Sequence, residues 1–146
     1  MKVVIFRGAP GSGKSYETDR LAASHEFVVV CSADHYMVDG EGNYAFDVMK
    51  LGYAHDACYR KFVSALEEVG GYEDGVVVVD NTNSEAWEFA PYVAEAKRAG
   101  ATIEIVTLRG TRQNVHGVDA ERVAAMRAAV DAAFIPYPFR QYMAKE

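Results

Sequence analysis

Eight residues near the N-terminus, Gly8-Ala9-Pro10-Gly11-Ser12-Gly13-Lys14-Ser15, restrict the possible folds of this chain more than any other feature. They match G-x-x-x-x-G-K-[ST], a loop whose backbone N–H groups wrap nucleotide phosphates. Such a loop requires a strand before it and a helix after it. Both patterns are present: Val3-Val4-Ile5-Phe6 is an apolar run suited to a buried strand, and a helical pattern begins near Gly13. Glycine at 8, 11 and 13 lets the loop turn its amides inward. Lys14 is then positioned to reach β- and γ-phosphates, and the Ser15 hydroxyl to ligate Mg²⁺. All eight residues, Gly8 to Ser15, are expected to hold a nucleoside triphosphate, with ATP and Mg²⁺ as the natural pair.

Three further β-branched runs follow, Phe27 to Cys31, Val76 to Val79 and Thr102 to Leu108. Helical patterns separate them. Asp47 to Val69 carries Leu51, Cys58, Phe62, Ala65, Leu66 and Val69 at three-and-four spacing. Pro91 to Ala99 opens on a proline and closes at Gly100, and Asp119 is a candidate cap for a last helix with Val123, Met126 and Val130 on one face. Strand–helix alternation predicts a three-layer α/β/α sandwich around a parallel sheet of four or five strands, with the first strand central and both Val-rich strands buried. No repeat or linker interrupts the pattern, so residues 1–146 are expected to form one domain.

Composition excludes other classes. No apolar run approaches the roughly 18 residues that cross a bilayer, and the first residues lack a signal-peptide core. Cys31 and Cys58 do not form a disulfide framework, so a cytoplasmic location is expected. A net charge of −6 disfavours broad binding along duplex nucleic acid but leaves room for a local basic groove.

The remaining chemistry is expected at strand ends, where open parallel sheets bind ligands. Val76-Val77-Val78-Val79-Asp80 is an apolar strand ending in a carboxylate, which either assists Ser15 with Mg²⁺ or is a solvated strand end. Asp34, after the second strand, either caps the following turn or accepts the proton of an attacking hydroxyl. His35 is its neighbour, and strand alternation would turn the two apart. Arg112 lies in a polar, glycine-bearing segment from Arg109 to Val118, suited to a lid that stabilises charge on a transferring phosphoryl group. Arg122, in the following helix, is a weaker candidate for the same site. His55 falls on the apolar stripe of the long helix and reads as a core histidine. No His/Cys grouping has zinc spacing.

Several segments together resemble the small P-loop kinases related to polynucleotide 5′-hydroxyl kinase. Besides Gly8 to Ser15, these are Ala33-Asp34-His35-Tyr36, Asn43-Tyr44-Ala45-Phe46, Ala54-His55 with Cys58, Val79-Asp80-Asn81-Thr82-Asn83, and Asn114-Val115-His116-Gly117-Val118 with Met126. They run in the family's order over nearly the whole chain. The resemblance implies an ATP-dependent phosphotransferase with Asp34 as general base, Lys14 and Arg112 on the donor phosphates, and Ser15 with Asp80 at Mg²⁺. It also implies a hydroxyl acceptor on a nucleic acid (a 5′-hydroxyl end or a hydroxymethylated base) or a nucleoside. One departure stands out. Met37 occupies the place where phage relatives carry an arginine that touches the acceptor strand, so Met37→Arg would be expected to raise oligonucleotide affinity. A kinase for a sugar or nucleotide-sugar, and a non-kinase ATP-binding switch, are the competing readings. A switch, however, needs no acceptor base.

Overall fold

The computed structural model describes residues 1–111 and 117–146. Among these, four parallel strands form one sheet: β1 (Lys2–Arg7), β2 (Phe27–Cys31), β3 (Gly75–Asp80) and β4 (Thr102–Thr107), in the order β2-β3-β1-β4. The first strand is central, with Val4 opposite Val78 on one side and Glu104 on the other. Beyond β4, the main chain of Ile105 bonds to Tyr142 and Ala144, so the C-terminal segment shields that edge.

The two faces of the sheet differ in depth. Val3, Ile5, Val77 and Val79 point into the larger core against α2 (Leu51–Val69) and α3 (Ala86–Arg98). Val4, Phe6, Val76 and Val78 point the other way, where Leu21 of α1 (Lys14–Ser24) covers them. This accounts for runs without polar alternation in β1 and β3, since both faces are dry. The Val-rich β2 departs from expectation: as an edge strand it is only half-buried until Cys31.

Helix boundaries follow local chemistry. Asp47 accepts the N–H of Met49, capping a 3₁₀ turn at Val48–Lys50 that leads into α2. The apolar stripe Cys58, Phe62, Ala65, Leu66 and Val69 is buried as its spacing predicted. Helix α3 begins earlier than Pro91. Glu85 and Glu88 form a reciprocal capping box, and Pro91 lies inside the helix. Helix α4 (Ala120–Ala132) starts after Asp119 without a side-chain cap and buries only Val130, so it rests lightly on the domain. The short α5 (Tyr137–Arg140) brings Phe139 edge-on to Phe89, whereas Phe134 and Tyr137 remain exposed. Among the described residues, no helix is long and apolar enough to cross a membrane.

Candidate active site

The carboxyl ends of β1, β2 and β3 and the start of α4 enclose one cavity of about 770 Å³. Its floor is the glycine-rich loop. Gly11 and Gly13 adopt φ of 81° and 109°, a region where side chains are disfavoured. A Cβ at Gly8 would come within 2.3 Å of Ser12 Oγ, so the loop closes on itself only with glycine there. Gly13 precedes the first turn of α1 with no side-chain cap, leaving helix N–H groups to face the cavity. Pro10, Gly11, Gly13, Lys14 and Ser15 line it. Gly8 does not, and Ala9 and Ser12 border a smaller cavity of about 60 Å³ behind the loop.

Lys14 Nζ donates to the carbonyl oxygens of Gly8 at 2.6 Å and Ala9 at 3.2 Å, folded onto its own loop. Burial lowers its pKa, while Asp80 and Asp34 oppose that shift. Both carboxylates are therefore within electrostatic reach of the lysine that the octet predicted, and both line the cavity. Ser15 is exposed in the same wall. These groups suit Mg²⁺, which keeps several waters and takes only one or two protein ligands besides phosphate oxygens. No larger grouping of His, Cys, Asp and Glu occurs among the described residues.

Asp34 reaches the cavity by a different local route than strand alternation implied. After Cys31 the chain enters a 3₁₀ turn, Ala33–Tyr36, whose N-cap Ser32 accepts the N–H of Asp34 at 3.3 Å. Helical geometry replaces the alternation, so Asp34 and His35 both face the cavity. Burial and Lys61 lower the His35 pKa, against Asp80 and Asp34. Asn81 secures this turn to the neighbouring strand: its Oδ1 accepts the Ala33 N–H at 2.9 Å and its Nδ2 donates to Cys58 Sγ at 3.6 Å. The Asn-Thr-Asn run is thus more than a turn into α3. Thr82 O accepts the Gly8 N–H at 2.9 Å, and Asn83, with φ of 48°, donates to Phe6 O at 2.8 Å.

Arg7 escaped the sequence reading and organises the same edge from beneath. Only 2% exposed, it donates to Asn83 O (2.9 Å), Thr107 Oγ1 (3.0 Å), Ser84 O (2.5 Å) and Val130 O (3.4 Å). One guanidinium thereby joins β1, the segment after β3, β4 and α4. Burial lowers its pKa and Arg109 adds to this, opposed by Glu88 and Asp131.

Two histidine and methionine expectations change. His55 is exposed and lines the cavity rather than filling the core, because the buried row of α2 runs through Ala54, Cys58 and Phe62 and leaves His55 at its margin. Met37 is 2% exposed, packed in the main core and bordering the cavity, so an arginine there would be driven into apolar surroundings. Arg112 lies outside the described residues, as does His116. Arg122 does face the site: its guanidinium carbon sits 4.5 Å from the Phe46 ring centre, and Met126 lines the cavity from the next turn of the same helix. Arg109, by contrast, pairs with Asp131 at 2.8 Å and with Glu146, away from the cavity.

Comparison with known proteins agrees with this architecture. A stretch of human NEDD4-binding protein 2 is 32% identical over 133 residues, which is 85% of this chain but 7% of that protein. The chain thus spans only a small part of that relative. Among solved structures, a chain of the Pnkp1/Rnl/Hen1 complex superposes with a TM-score of 0.58 at 18% identity, covering 85% of this chain and 38% of that one. A Mycobacterium tuberculosis APS kinase superposes with a TM-score of 0.52 at 16% identity, covering 90% and 97%. At these identities the likeness establishes the fold, and the expected kinship with small P-loop kinases holds at that level. The AAA domain family model matches residues 3–135, nearly the whole length, and the chain belongs to that family, in a kinase-type P-loop α/β/α fold.

Proposed function

We propose that this chain is an ATP-dependent phosphotransferase that moves the γ-phosphate to a hydroxyl on a nucleic acid, a 5′-hydroxyl end or a hydroxymethylated base, or on a nucleoside. The observation that carries the reading is that Asp34 borders the same cavity as Lys14 and Ser15, while Asp80 enters it from a third strand. A nucleotide switch requires no carboxylate to serve as an acceptor base. The APS kinase and the Pnkp1-containing complex among the structural neighbours support a kinase over other uses of the loop.

In this reading Lys14 leaves its loop carbonyls for the β- and γ-phosphate oxygens, and the helix N-terminus at Gly13 adds backbone donors. Ser15 and Asp80 hold Mg²⁺, which when bound neutralises charge on the phosphates. Asp34 orients the acceptor hydroxyl and takes its proton as the oxygen attacks. Arg112 is assigned to the lid, over the donor phosphates, on the strength of sequence resemblance alone. Residues 1–146 act as a single domain, working in the cytoplasm, where the free cysteines Cys31 and Cys58 stay reduced.

The test is transfer of label from γ-labelled ATP to a panel of 5′-hydroxyl DNA and RNA, hydroxymethylated DNA, nucleosides and sugars. A nucleic-acid or nucleoside acceptor should be labelled, and Asp34→Asn should lower the rate roughly 10²–10⁴-fold, the scale of a lost general base. Labelling of sugars alone would move the acceptor to the small-metabolite class. Hydrolysis with every acceptor blank would leave the non-kinase reading.

A further inference from the structure

The acceptor wall of the cavity contains a feature that phosphoryl transfer itself does not use. Residues 38–47 form a small hairpin: Val38 bridges Tyr44, Asp39 N–H donates to Asn43 O at 2.9 Å, and Ala45 N–H donates to Met37 O at 2.8 Å. The last of these bonds ties the hairpin to Met37, the residue that closes the 3₁₀ turn carrying Asp34. Tyr44 and Phe46 lie two residues apart, the spacing that shares a face in an extended segment, and both line the cavity. From across the cavity Arg122 lays its guanidinium 4.5 Å from the Phe46 ring centre. Phe46 nonetheless remains 43% exposed, an aromatic surface open inside a catalytic cavity. Burial and Asp34 raise the Tyr44 pKa while Arg122 lowers it, so both charged groups are within electrostatic reach of its hydroxyl.

We propose that Phe46, with Tyr44 and Arg122, forms the platform that stacks the heterocyclic base of the acceptor and presents its hydroxyl to Asp34. This assignment rests on the phosphotransferase reading above and narrows its substrate to acceptors bearing a planar ring. An aromatic face and a planar cation bind bases of any sequence by stacking. A sugar, with hydroxyls all round, would draw instead on hydrogen-bonding side chains of the same cavity, such as Ser32, His35 and His55, and would gain little from a stacked ring. Leu51 and Met126 make the adjoining surface apolar. Arg122 further favours an acceptor that carries a phosphate next to its first base, since it is a cation at the rim of the same wall.

The experiment compares a 5′-hydroxyl oligonucleotide with the same strand lacking only its 5′-terminal base. The wild-type KM should be at least about fivefold lower for the intact strand, the lower end of the scale for one stacked base. Phe46→Leu should raise the KM of the intact strand toward that of the abasic one, with the acceptor KM rising more than the ATP KM. Phe46→Trp should restore the preference, which separates lost stacking from a damaged fold. If the wild type phosphorylates the intact strand but Phe46→Leu preserves the intact-to-abasic KM ratio, the platform is wrong and the phosphotransferase reading stands. If only a sugar is labelled, with all ring-bearing acceptors blank, the platform and the nucleic-acid reading fall together.

Discussion

Replacing Arg7 tests whether one buried cation holds the catalytic edge of the sheet together. Its three donor nitrogens reach four acceptors, of which Asn83 O, Thr107 Oγ1 and Val130 O are buried and Ser84 O is partly so. Arg7→Met keeps the volume and loses every bond. A buried acceptor left unsatisfied costs about 1–3 kcal/mol, and the bond to Val130, at 3.4 Å, is the weakest. Relief of the guanidinium's own desolvation offsets part of the loss, so a net destabilisation of about 4 kcal/mol is expected. Arg7→Lys keeps the charge, and its single nitrogen can serve the outer acceptors but not Asn83 O, which Nε now reaches. The expected loss is about 2 kcal/mol, one charge-assisted bond. For a domain of this size each kcal/mol moves the midpoint by about 2–4 °C, so the variants should melt roughly 8–16 °C and 4–8 °C below wild type. Calorimetry checks the order, and ATP titration well below both midpoints checks the link to function. Asn83 and Thr82 are neighbours, and Thr82 O fixes the Gly8 amide, so affinity for ATP should fall in both variants. An Arg7→Met protein as stable as wild type would refute the argument, because apolar packing would then suffice where the guanidinium now sits.

Other outcomes follow from the same geometry. Lys14→Ala should abolish phosphoryl transfer and weaken ATP binding, and Asp80→Asn should shift the Mg²⁺ dependence while Asp34→Asn spares it; initial rates over a metal titration separate the three. Met37→Arg should lower the melting midpoint rather than improve oligonucleotide binding, since the side chain is 2% exposed in the core. Burial pushes the Cys31 thiol up to about 12 and the Cys58 thiol upward as well, so both should resist iodoacetamide at pH 8 until denaturant is added. His35 binds its proton less readily in the fold than its ordinary value of 6.5. The unfolded chain therefore takes up that proton first as pH falls, and stability should decline below about pH 6.5 and level off beneath the folded value; denaturant midpoints of His35→Gln should lack this component.

Much of this architecture was legible because periodicity reports burial. The strand runs, the stripe on α2 and the octet before α1 each depend on residues close in sequence and each fell where expected, although the edge position of β2 leaves its valines only half-buried. What was missed depends on partners far apart. Arg7 looked like a polar residue ending a strand, yet its acceptors lie as many as 123 residues away. A clue existed in Asn83, since asparagine is among the few side chains that accept a left-handed backbone, and that conformation presents its carbonyl to Arg7. His55 is spaced three and four residues from Cys58 and Leu51, but the buried row runs through Ala54, and spacing alone did not say which of the two neighbours would face the core. The 3₁₀ turn at Ala33–Tyr36 likewise defeated strand alternation, because one change of local geometry brought Asp34 and His35 to the same wall.

The same distinction explains why the donor half of the site is easier to read than the acceptor half. Phosphate binding is built from one continuous loop, so its chemistry is spelled out in adjacent letters. The acceptor wall is assembled from the turn after β2, the hairpin at 38–47, the start of α2 and the face of α4, and no short motif spans them. The pairing of Phe46 with Arg122 joins residues that only the docking of α4 brings within 4.5 Å. Since α4 buries little beyond Val130, its position is held by polar contacts: Arg127 donates to Gly110 O at 2.7 Å and Arg7 to Val130 O. Gly110 in turn donates its N–H to Ser12 O, within the phosphate loop. A shift of the loop on nucleotide binding would therefore be felt at α4, and through Arg122 at the acceptor wall. Acceptor affinity should accordingly rise when a non-hydrolysable ATP analogue is bound, a coupling that by linkage must appear equally in the affinity for the analogue. Titrating 5′-hydroxyl oligonucleotide with and without the analogue measures it. Equal affinities would show that the two halves of the cavity act independently despite these shared bonds.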